Sequence, residues 1–280
     1  MSETSSPTLD RRAGRPPQRL TSLVGRRAEL DAVVAALATS RAVCLTGPGG
    51  CGKTRLAMEV AGPAGGHASD RVCWIDLTPL IEARSIPRAL ANALGVRESA
   101  GRPLLESVTA HVGDACHLLV LDNCEHLLPG CAEIAHRLLV ECPGLRVLAT
   151  SREILGVDGE VVWPVPPLSM PARGTAPSAD SLREYESVQL FCARAEVAHP
   201  GFALDDSNAA AIARICRGLD GLPLAIELAA ARVRVLSIDE IANALENRLA
   251  VLTVGARKIT MPITTAKKVT ANPTGFMTRS

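Results

Sequence analysis

Aromatic residues are scarce in this sequence: three Phe, two Trp and one Tyr make up 2% of 280 residues. Proteins that hold single-stranded nucleic acid stack its bases on aromatic side chains, so this scarcity argues against such a platform. The formal net charge is only +1, which provides no overall field to draw the chain to DNA or to anionic lipid. No apolar run reaches the roughly 18 residues that a membrane helix needs. The N-terminus is polar and has no secretory signal, and the sequence therefore predicts a soluble, cytoplasmic protein.

The nine cysteines include no C-x-x-C pair. This spacing offers no zinc knuckle and argues against a disulfide framework, so we interpret the cysteines as small buried apolar side chains. Apolar residues reach 47% of the chain, which is enough for a core built from Leu, Val, Ile and Ala. A chain of this length forms one large domain or two smaller ones.

Short apolar runs alternate with stretches of helical periodicity between residues 21 and 167. Each run is typical of a strand buried on both faces, and each helical stretch is typical of the crossover to the next strand. This alternation predicts an α/β fold with a parallel sheet that is covered by helices on both faces. The predicted strands are residues 41–46, 71–77, 117–121 and 145–149, with an edge strand at 160–165.

The rest of the chain differs in composition from this α/β region. Residues 168–182 are rich in Pro, Ser, Ala and Gly and are predicted to form a linker. Only helical periodicity follows, which predicts a helical subdomain over residues 183–250, and Ser237 and Glu240 have the spacing of a capping box at its last helix. Residues 1–20 lack periodicity and are predicted to form a disordered basic arm. The alternative for the arm, in which Gly14-Arg15-Pro16 enters a minor groove of DNA, depends on this tripeptide alone.

Residue usage changes again near the C-terminus. Three of the four lysines lie between residues 258 and 268, and no Asp or Glu follows Glu246. We predict that residues 251–280 form an atypical, disordered tail. Two origins are open, a basic tail that belongs to the protein and a segment produced by a shifted reading frame or a fusion.

The clearest motif is GPGGCGKT at residues 47–54, which fits the Walker A pattern G-x-x-x-x-G-K-[ST]. It follows a predicted strand and opens a predicted helix, so its backbone N–H groups and the helix N-terminus favour phosphate binding. Lys53 is predicted to reach the β- and γ-phosphates, and the Thr54 hydroxyl to hold Mg²⁺. The predicted nucleotide-binding residues of this segment are Gly47, Pro48, Gly49, Gly50, Cys51, Gly52, Lys53, Thr54 and Arg55.

A second group of candidate residues follows two later strands. Asp122 ends a buried strand at the edge where α/β sheets bind ligands, and it is predicted to complete the magnesium site with Thr54. The next residue, Asn123, cannot act as a base, so hydrolysis would need Glu125, His126 or another group to orient water. We therefore expect slow hydrolysis or none. Arg152, just past the next strand, is predicted to sense a γ-phosphate.

Taken together, these residues resemble the signal-transduction (STAND) P-loop ATPases of the NB-ARC-like class. The sequence is most similar to the ATPase module of large actinobacterial transcriptional regulators of the LuxR and SARP types. LVGR at 23–26 resembles the family's N-terminal motif, LDNCEH at 121–126 its magnesium strand, ATSRE at 149–153 its sensor strand and GLPLA at 221–225 its GLPLA motif.

The resemblance implies a sheet of order 5-1-4-3-2 and a helical subdomain that closes over ATP or ADP with Mg²⁺. It implies that Val24, Gly25 and Arg26 pack on the adenine through their backbone, and that Pro223 borders the adenine pocket. It also implies a switch, in which ADP holds a closed form and exchange for ATP opens it for assembly. Regulators of this kind carry a winged-helix domain and sensor repeats after the helical subdomain, whereas we expect no DNA-binding domain in this chain.

Three functional interpretations follow from these residues. The first is an ATP/ADP-binding regulatory module that acts as a nucleotide-dependent switch in signalling or transcriptional regulation. The second is a truncated remnant of a larger regulator that acts only through a protein partner or self-association. The third is a P-loop kinase or an active ATPase, for which the sequence has no cluster of substrate-phosphate arginines.

Overall fold

Five strands in the computed structural model form the centre of the fold: β1 (Ala42–Thr46), β2 (Val72–Asp76), β3 (Leu118–Asp122), β4 (Arg146–Ser151) and β5 (Glu160–Pro164). They pair in parallel in the order β2-β3-β4-β1-β5. This is the predicted order 5-1-4-3-2 counted from the opposite edge, so the predicted fold is confirmed. The structure describes residues 14–17, 21–66, 71–98, 101–115, 118–172 and 178–257.

Ten helices surround or follow this sheet in the part of the chain that the structure describes. Those of the sheet region are α1 (Arg27–Thr39), α2 (Lys53–Ala61), α3 (Ile86–Leu94), α4 (Leu104–Ala115) and α5 (Leu128–Glu141). The later ones are α6 (Ala179–Leu182), α7 (Glu186–Ala198), α8 (Ala209–Gly218), α9 (Pro223–Ala230) and α10 (Ile238–Arg257). None of the described helices combines the length and apolar character needed to span a membrane.

The sheet has a separate apolar core on each face because successive side chains of a strand point to opposite sides. In β3, Leu119 and Leu121 join the core formed with α3, α4 and α5, whereas Leu118 and Val120 join the core formed with α1 and α2. This burial on both faces explains why the strands are continuous apolar runs. We refer to the five strands with α1–α5 as the sheet domain.

The later helices enclose a third core, and we refer to α6–α10 as the helical subdomain. The segment predicted to be a linker differs from that expectation at both ends, because Leu168 is buried in this third core and residues 179–182 form α6. α9 begins at Pro223, since a residue that precedes proline avoids helical backbone angles. The capping box is present: Ser237 N donates to Glu240 Oε2 at 2.8 Å.

Both predicted termini lie partly outside the described residues. Of the arm, only residues 14–17 are described, and Gly14 O accepts a hydrogen bond of 2.8 Å from Trp74 N on the edge strand β2. Of the tail, residues 251–257 continue α10, which differs from the predicted boundary at 250. Residues 258–280 lie outside the described part of the chain.

Candidate functional site

A glycine-rich loop joins β1 to α2 at the carboxyl edge of the sheet. Gly50 and Gly52 have φ angles of 79° and 99°, which residues with a Cβ rarely adopt. These angles let the loop curl back before α2 begins at Lys53. Cys51 faces inward and is fully buried, so its backbone belongs to the loop while its thiol belongs to the core.

Lys53 is nearly buried, with 9% of its surface exposed. Its Nζ donates to Gly47 O at 2.8 Å and to Pro48 O at 3.1 Å, and it makes no ion pair with any residue that the structure describes. A buried ammonium is costly unless an anion compensates it. The loop therefore presents a cation and a helix N-terminus to an anion that the described chain does not itself supply.

Asp122 is held by two hydroxyl groups at the end of β3. Its Oδ1 accepts from Thr54 Oγ1 at 2.7 Å and from Thr150 Oγ1 at 2.6 Å. Burial raises the pKa of Asp122 above the ordinary carboxyl value, while the two hydroxyl bonds lower it and the charges of Asp76 and Glu125 raise it further. The carboxylate is thus fixed in position but partly removed from solvent.

The oxygen ligands at this point suit a magnesium ion. Thr54 gives its proton to Asp122, which leaves the lone pairs of Oγ1 free to bind a cation. Mg²⁺ prefers hydroxyl, carboxylate and phosphate oxygens and keeps several waters. Thr54 would therefore hold the ion directly, and Asp122 would orient that hydroxyl and compensate the positive charge.

Arg152 and Glu125 form an ion pair beside the glycine loop. Their Nε and Oε1 atoms are 3.2 Å apart, and Arg152 is 66% exposed. A Cβ placed on Gly49 would lie 3.5 Å from Arg152 Nη2, so the guanidinium reaches the loop. His126, the other candidate for orienting water, turns away: its Nε2 lies within hydrogen-bonding distance of Leu77 O and Leu80 O.

The helical subdomain packs on the same loop through the start of α9. Leu224 N donates to Gly50 O at 3.2 Å. A Cβ placed on Gly52 would lie 3.7 Å from Pro223 Cγ, and one placed on Gly50 would lie 3.0 Å from Leu224 Cβ. A side chain at Gly50 would therefore be strained by the positive φ angle and would press on Leu224 of the docked subdomain.

Between the two domains lies a cavity of about 610 Å³. The structure brings most predicted site residues to its wall: Val24, Arg26, Gly49, Gly50, Gly52, Lys53, Thr54, Arg55, Glu125, Arg152 and Pro223. Other predicted residues lie behind the wall: Gly25, Gly47, Pro48, Cys51 and Asp122. Of these, Asp122 is connected to the wall by its hydrogen bond from Thr54.

The side chain of Arg26 is turned to the protein: it is 98% buried, and its guanidinium donates to the loop at Cys51 O. The packing of its backbone on the adenine stays a prediction. Arg55 also turns to the protein, since its Nη2 donates to Thr21 O. Both arginines line the cavity.

Sequence reasoning found Pro223 in the helical subdomain but missed other residues that this subdomain adds to the wall. Leu190 and Arg194 of α7 and Glu227 of α9 line the cavity, and Arg194 Nε pairs with Glu227 Oε1 at 2.9 Å. Leu190 and Arg194 are four residues apart, as are Pro223 and Glu227, so each pair lies on one helix face. Helical spacing from Pro223 could have found Glu227, but no sequence signal connects α7 with the glycine loop.

The site combines a glycine loop between β1 and the next helix, a buried lysine at the start of that helix and an acid at the end of β3, which β4 separates from β1. This combination defines the P-loop NTPase class. Residues 37–156 match a family model described as an AAA domain. This segment of the chain is therefore similar to AAA-type P-loop ATPase domains.

Curated relatives extend the similarity over more of the chain. A protein of Mycobacterium tuberculosis with the name "Putative HTH-type transcriptional regulator" is 44% identical over 223 residues, which cover 80% of this chain and 24% of the relative. An uncharacterized protein of the same organism is 39% identical over 246 residues, which cover 88% of this chain and 59% of the relative. The chain thus spans about a quarter of the length of the first relative.

Solved structures share the fold at low sequence identity. A STAND protein with a tetratricopeptide repeat sensor from Pyrococcus horikoshii has a TM-score of 0.51 at 18% identity, over 85% of this chain and 33% of that one. A Walker-type ATPase of Pyrococcus abyssi has a TM-score of 0.53 at 15% identity, over 87% and 77% of the two chains. At these identities the likeness concerns the fold alone.

Proposed function

We propose that this chain is an ATP- and ADP-binding regulatory module with Mg²⁺ as its metal ion. The observation that supports this best is Lys53, a nearly buried ammonium without an ion-pair partner among the described residues, at the mouth of a glycine loop. A nucleotide phosphate would supply the missing anion. Thr54 and Asp122 would hold the magnesium ion, whose charge would offset that of the phosphates.

The module works as a nucleotide-dependent switch in signalling or transcriptional regulation. Its cavity wall is shared between the sheet domain and the helical subdomain, so a nucleotide contacts both. A ligand that binds one arrangement of two domains more tightly shifts the population toward it. The name of the 44% identical relative, a regulator of transcription, is consistent with this function.

Hydrolysis by this module is slow or does not occur. Asn123, which follows Asp122, carries an amide that cannot act as a base. Glu125 on the cavity wall has its Oε1 paired with Arg152, while its Oε2 has no hydrogen-bond partner among the described residues. We expect this ion pair to make Glu125 a poor base. His126 is not part of the cavity wall, and its Nε2 lies within hydrogen-bonding distance of Leu77 O and Leu80 O.

Thermal unfolding with and without Mg–ADP tests the proposal, with Lys53→Ala beside the wild type. Ligand at about 100 times its dissociation constant stabilises a protein by about 2.7 kcal/mol, which raises the midpoint by roughly 5 to 10 °C for a domain of this size. The shift is expected in the wild type and absent in Lys53→Ala. Arg27→Ala, which removes an exposed cation on α1, is the control and should keep the shift.

An unchanged Mg–ADP affinity in a folded Lys53→Ala variant would contradict the placement of the phosphates. Phosphoryl transfer to any small acceptor, or rapid ATP turnover, would instead favour the kinase or ATPase interpretation. Both outcomes can be measured on the same preparation with labelled ATP.

A second candidate function, action through a protein partner alone, has its own support. Leu224 and Leu228 on α9 and Val235 after it are large apolar side chains exposed on one side of the helical subdomain. Exposed apolar groups of this kind mark interaction surfaces when they are contiguous. Light scattering of the purified chain separates the candidates: self-association lost in Leu228→Ser, with no midpoint shift by Mg–ADP, would favour partner binding.

A further inference from the structure

The turn that leads into α1 is fixed by a carboxylate from the helical subdomain. Gly25 and Arg26 both have positive φ angles, 68° and 63°. Arg26 N donates to Glu186 Oε1, at the start of α7, over 2.7 Å. A Cβ on Gly25 would lie 2.4 Å from the same oxygen, so the approach of Glu186 requires glycine there.

The side chain of Arg26 connects this turn to the phosphate loop. It is 2% exposed, and its Nη2 donates to Cys51 O at 2.9 Å and to Pro166 O at 2.6 Å. Glu29, at 3.9 Å from Nη1, is its ion-pair partner among the described residues. Hydrogen bonds from a buried guanidinium are stronger than those between neutral groups, so Arg26 holds the loop backbone at Cys51 in place.

Glu186 also binds the chain where it crosses from β5 to the helical subdomain. Ser169 N donates to Glu186 Oε2 at 3.4 Å, and Glu186 N donates to Ser169 Oγ at 2.9 Å. Glu186 therefore contacts the turn before α1 and the crossing segment at once. Its position depends on how α7 is docked.

We propose that Arg26 and Glu186 are positioning residues for the nucleotide, which act through the loop backbone at Cys51. Glu186 holds the turn, the turn directs the Arg26 guanidinium, and the guanidinium fixes the loop that receives the phosphates. This inference rests on the proposed function. Because coupling between two sites is reciprocal, docking of α7 strengthens nucleotide binding and bound nucleotide strengthens the docking of α7.

The test measures Mg–ADP affinity by calorimetric titration in Glu186→Ala, Glu186→Gln and Arg26→Met. Glu186→Ala is expected to weaken binding by about 5-fold or more, the lower range of coupling between sites. Glu186→Gln should fall between it and wild type, since an amide can accept from Arg26 N but cannot accept from Ser169 N through its nitrogen. Glu184→Ala removes an exposed carboxylate two residues earlier and should bind as the wild type does.

A double-mutant cycle of Mg–ADP affinities measures a coupling that a role in stability alone would not change. If the two residues act as one unit, Arg26→Met and Glu186→Ala together weaken binding no more than the stronger single change. Independent, additive losses in affinity would overturn the proposal. Should Arg26→Met fail to fold, Arg26→Lys, which keeps the charge but loses the forked guanidinium, replaces it in the cycle.

The outcomes separate this inference from the proposed function. A wild type that does not bind Mg–ADP overturns both. A wild type that binds, with folded Glu186→Ala or Glu186→Gln variants of equal affinity, overturns only the positioning role. Weaker binding in the Glu186 variants with an unchanged Glu184→Ala supports it.

Discussion

The sheet domain and the helical subdomain contribute to one cavity in different ways. The sheet domain places Lys53 and Thr54 at the start of α2 and Asp122 at the end of β3, a strand that is buried on both faces. The helical subdomain adds a wall, through the start of α9 and one face of α7. The phosphate-binding groups are therefore built into rigid elements, whereas the groups that close the cavity belong to a separate core.

The connection between the two cores is narrow. Two hydrogen bonds cross this connection near the cavity. Leu224 N donates to Gly50 O, and Arg26 N donates to Glu186 Oε1. The proposed switch needs an element with two arrangements of similar free energy, and we expect the contact between the two cores to be that element. In this proposal the sheet domain binds the ligand and the helical subdomain responds to it.

Alanine substitutions in the core of the sheet domain or of the helical subdomain are expected to have the largest effects on stability. Leu119 in β3 and Ile226 in α9 are both fully buried, so changing either to alanine should cost about 2 to 5 kcal/mol. Trp74 and Trp163 both lie in the sheet domain, so tryptophan fluorescence reports on that domain and far-ultraviolet circular dichroism on both. Ile226→Ala should move part of the dichroism transition to lower denaturant and leave the fluorescence transition in place.

Leu119→Ala is the matched variant for this experiment. It should move the fluorescence transition, which reports directly on the sheet. Coincident dichroism and fluorescence transitions in Ile226→Ala would mean that the two cores unfold as one cooperative unit. The narrow connection would then be too strong for a switch.

The sequence is sufficient to predict the sheet because each strand is a short apolar run that ends at a clear change in the sequence pattern. The apolar runs gave the strands to within a residue or two, and β4 extends to Ser151 because its polar end continues to pair with β1. The linker was harder to predict. Its Pro- and Ala-rich composition is typical of a connection, yet Leu168 and Leu182 pack into the helical core, and burial of this kind depends on tertiary contacts.

The same distinction holds for the candidate site. Residues 47–54 are contiguous, so their pattern could be identified without a fold. Arg194 and Glu227 reach the cavity only because α7 and α9 pack side by side, and no motif on α7 connects it with residues 47–54. Glu186, at the start of α7, contacts the turn before α1 and is not part of the cavity wall. Its approach and the positive φ angle both favour glycine at residue 25, which the sequence could show but not explain.

Asp122→Asn tests the contribution of the sheet domain to the metal. Asparagine Oδ1 can still accept from Thr54 and Thr150, so the fold should be kept. Loss of the charge that supports a metal ligand weakens metal binding by about 10- to 100-fold. Titration of Mg²⁺ at fixed ADP should show this loss, with metal-free ADP affinity unchanged as the internal control. Equal Mg²⁺ dependence in the variant would remove Asp122 from the metal site.

The pH dependence of stability gives Asp122 a second test, without any ligand. Its pKa in the folded chain is raised by burial, so the folded state binds the proton more tightly than the unfolded state. Stability from this group is therefore lost as pH rises from the ordinary carboxyl pKa of about 4 toward the raised value. Asp122→Asn lacks this loss, and its unfolding free energy relative to wild type should increase over that range. A constant difference would contradict the raised pKa.

Two buried thiols can report on the local opening of each domain without any substitution. Cys44 in β1 and Cys216 in α8 are both fully buried, and burial is the main cause that raises the pKa of each to about 12. At pH 8 only about one such thiol in ten thousand is a thiolate, so alkylation of the folded chain reports local opening and not intrinsic reactivity. We expect Cys216 to react a few times faster than Cys44, measured by peptide mass spectrometry, because the helical subdomain opens independently of the sheet. Mg–ADP should slow Cys216 toward the rate of Cys44. Equal alkylation rates of the two thiols before nucleotide is added would mean that both cores open together. Closure of the cavity would then have to be assigned to the glycine loop and not to the helical subdomain.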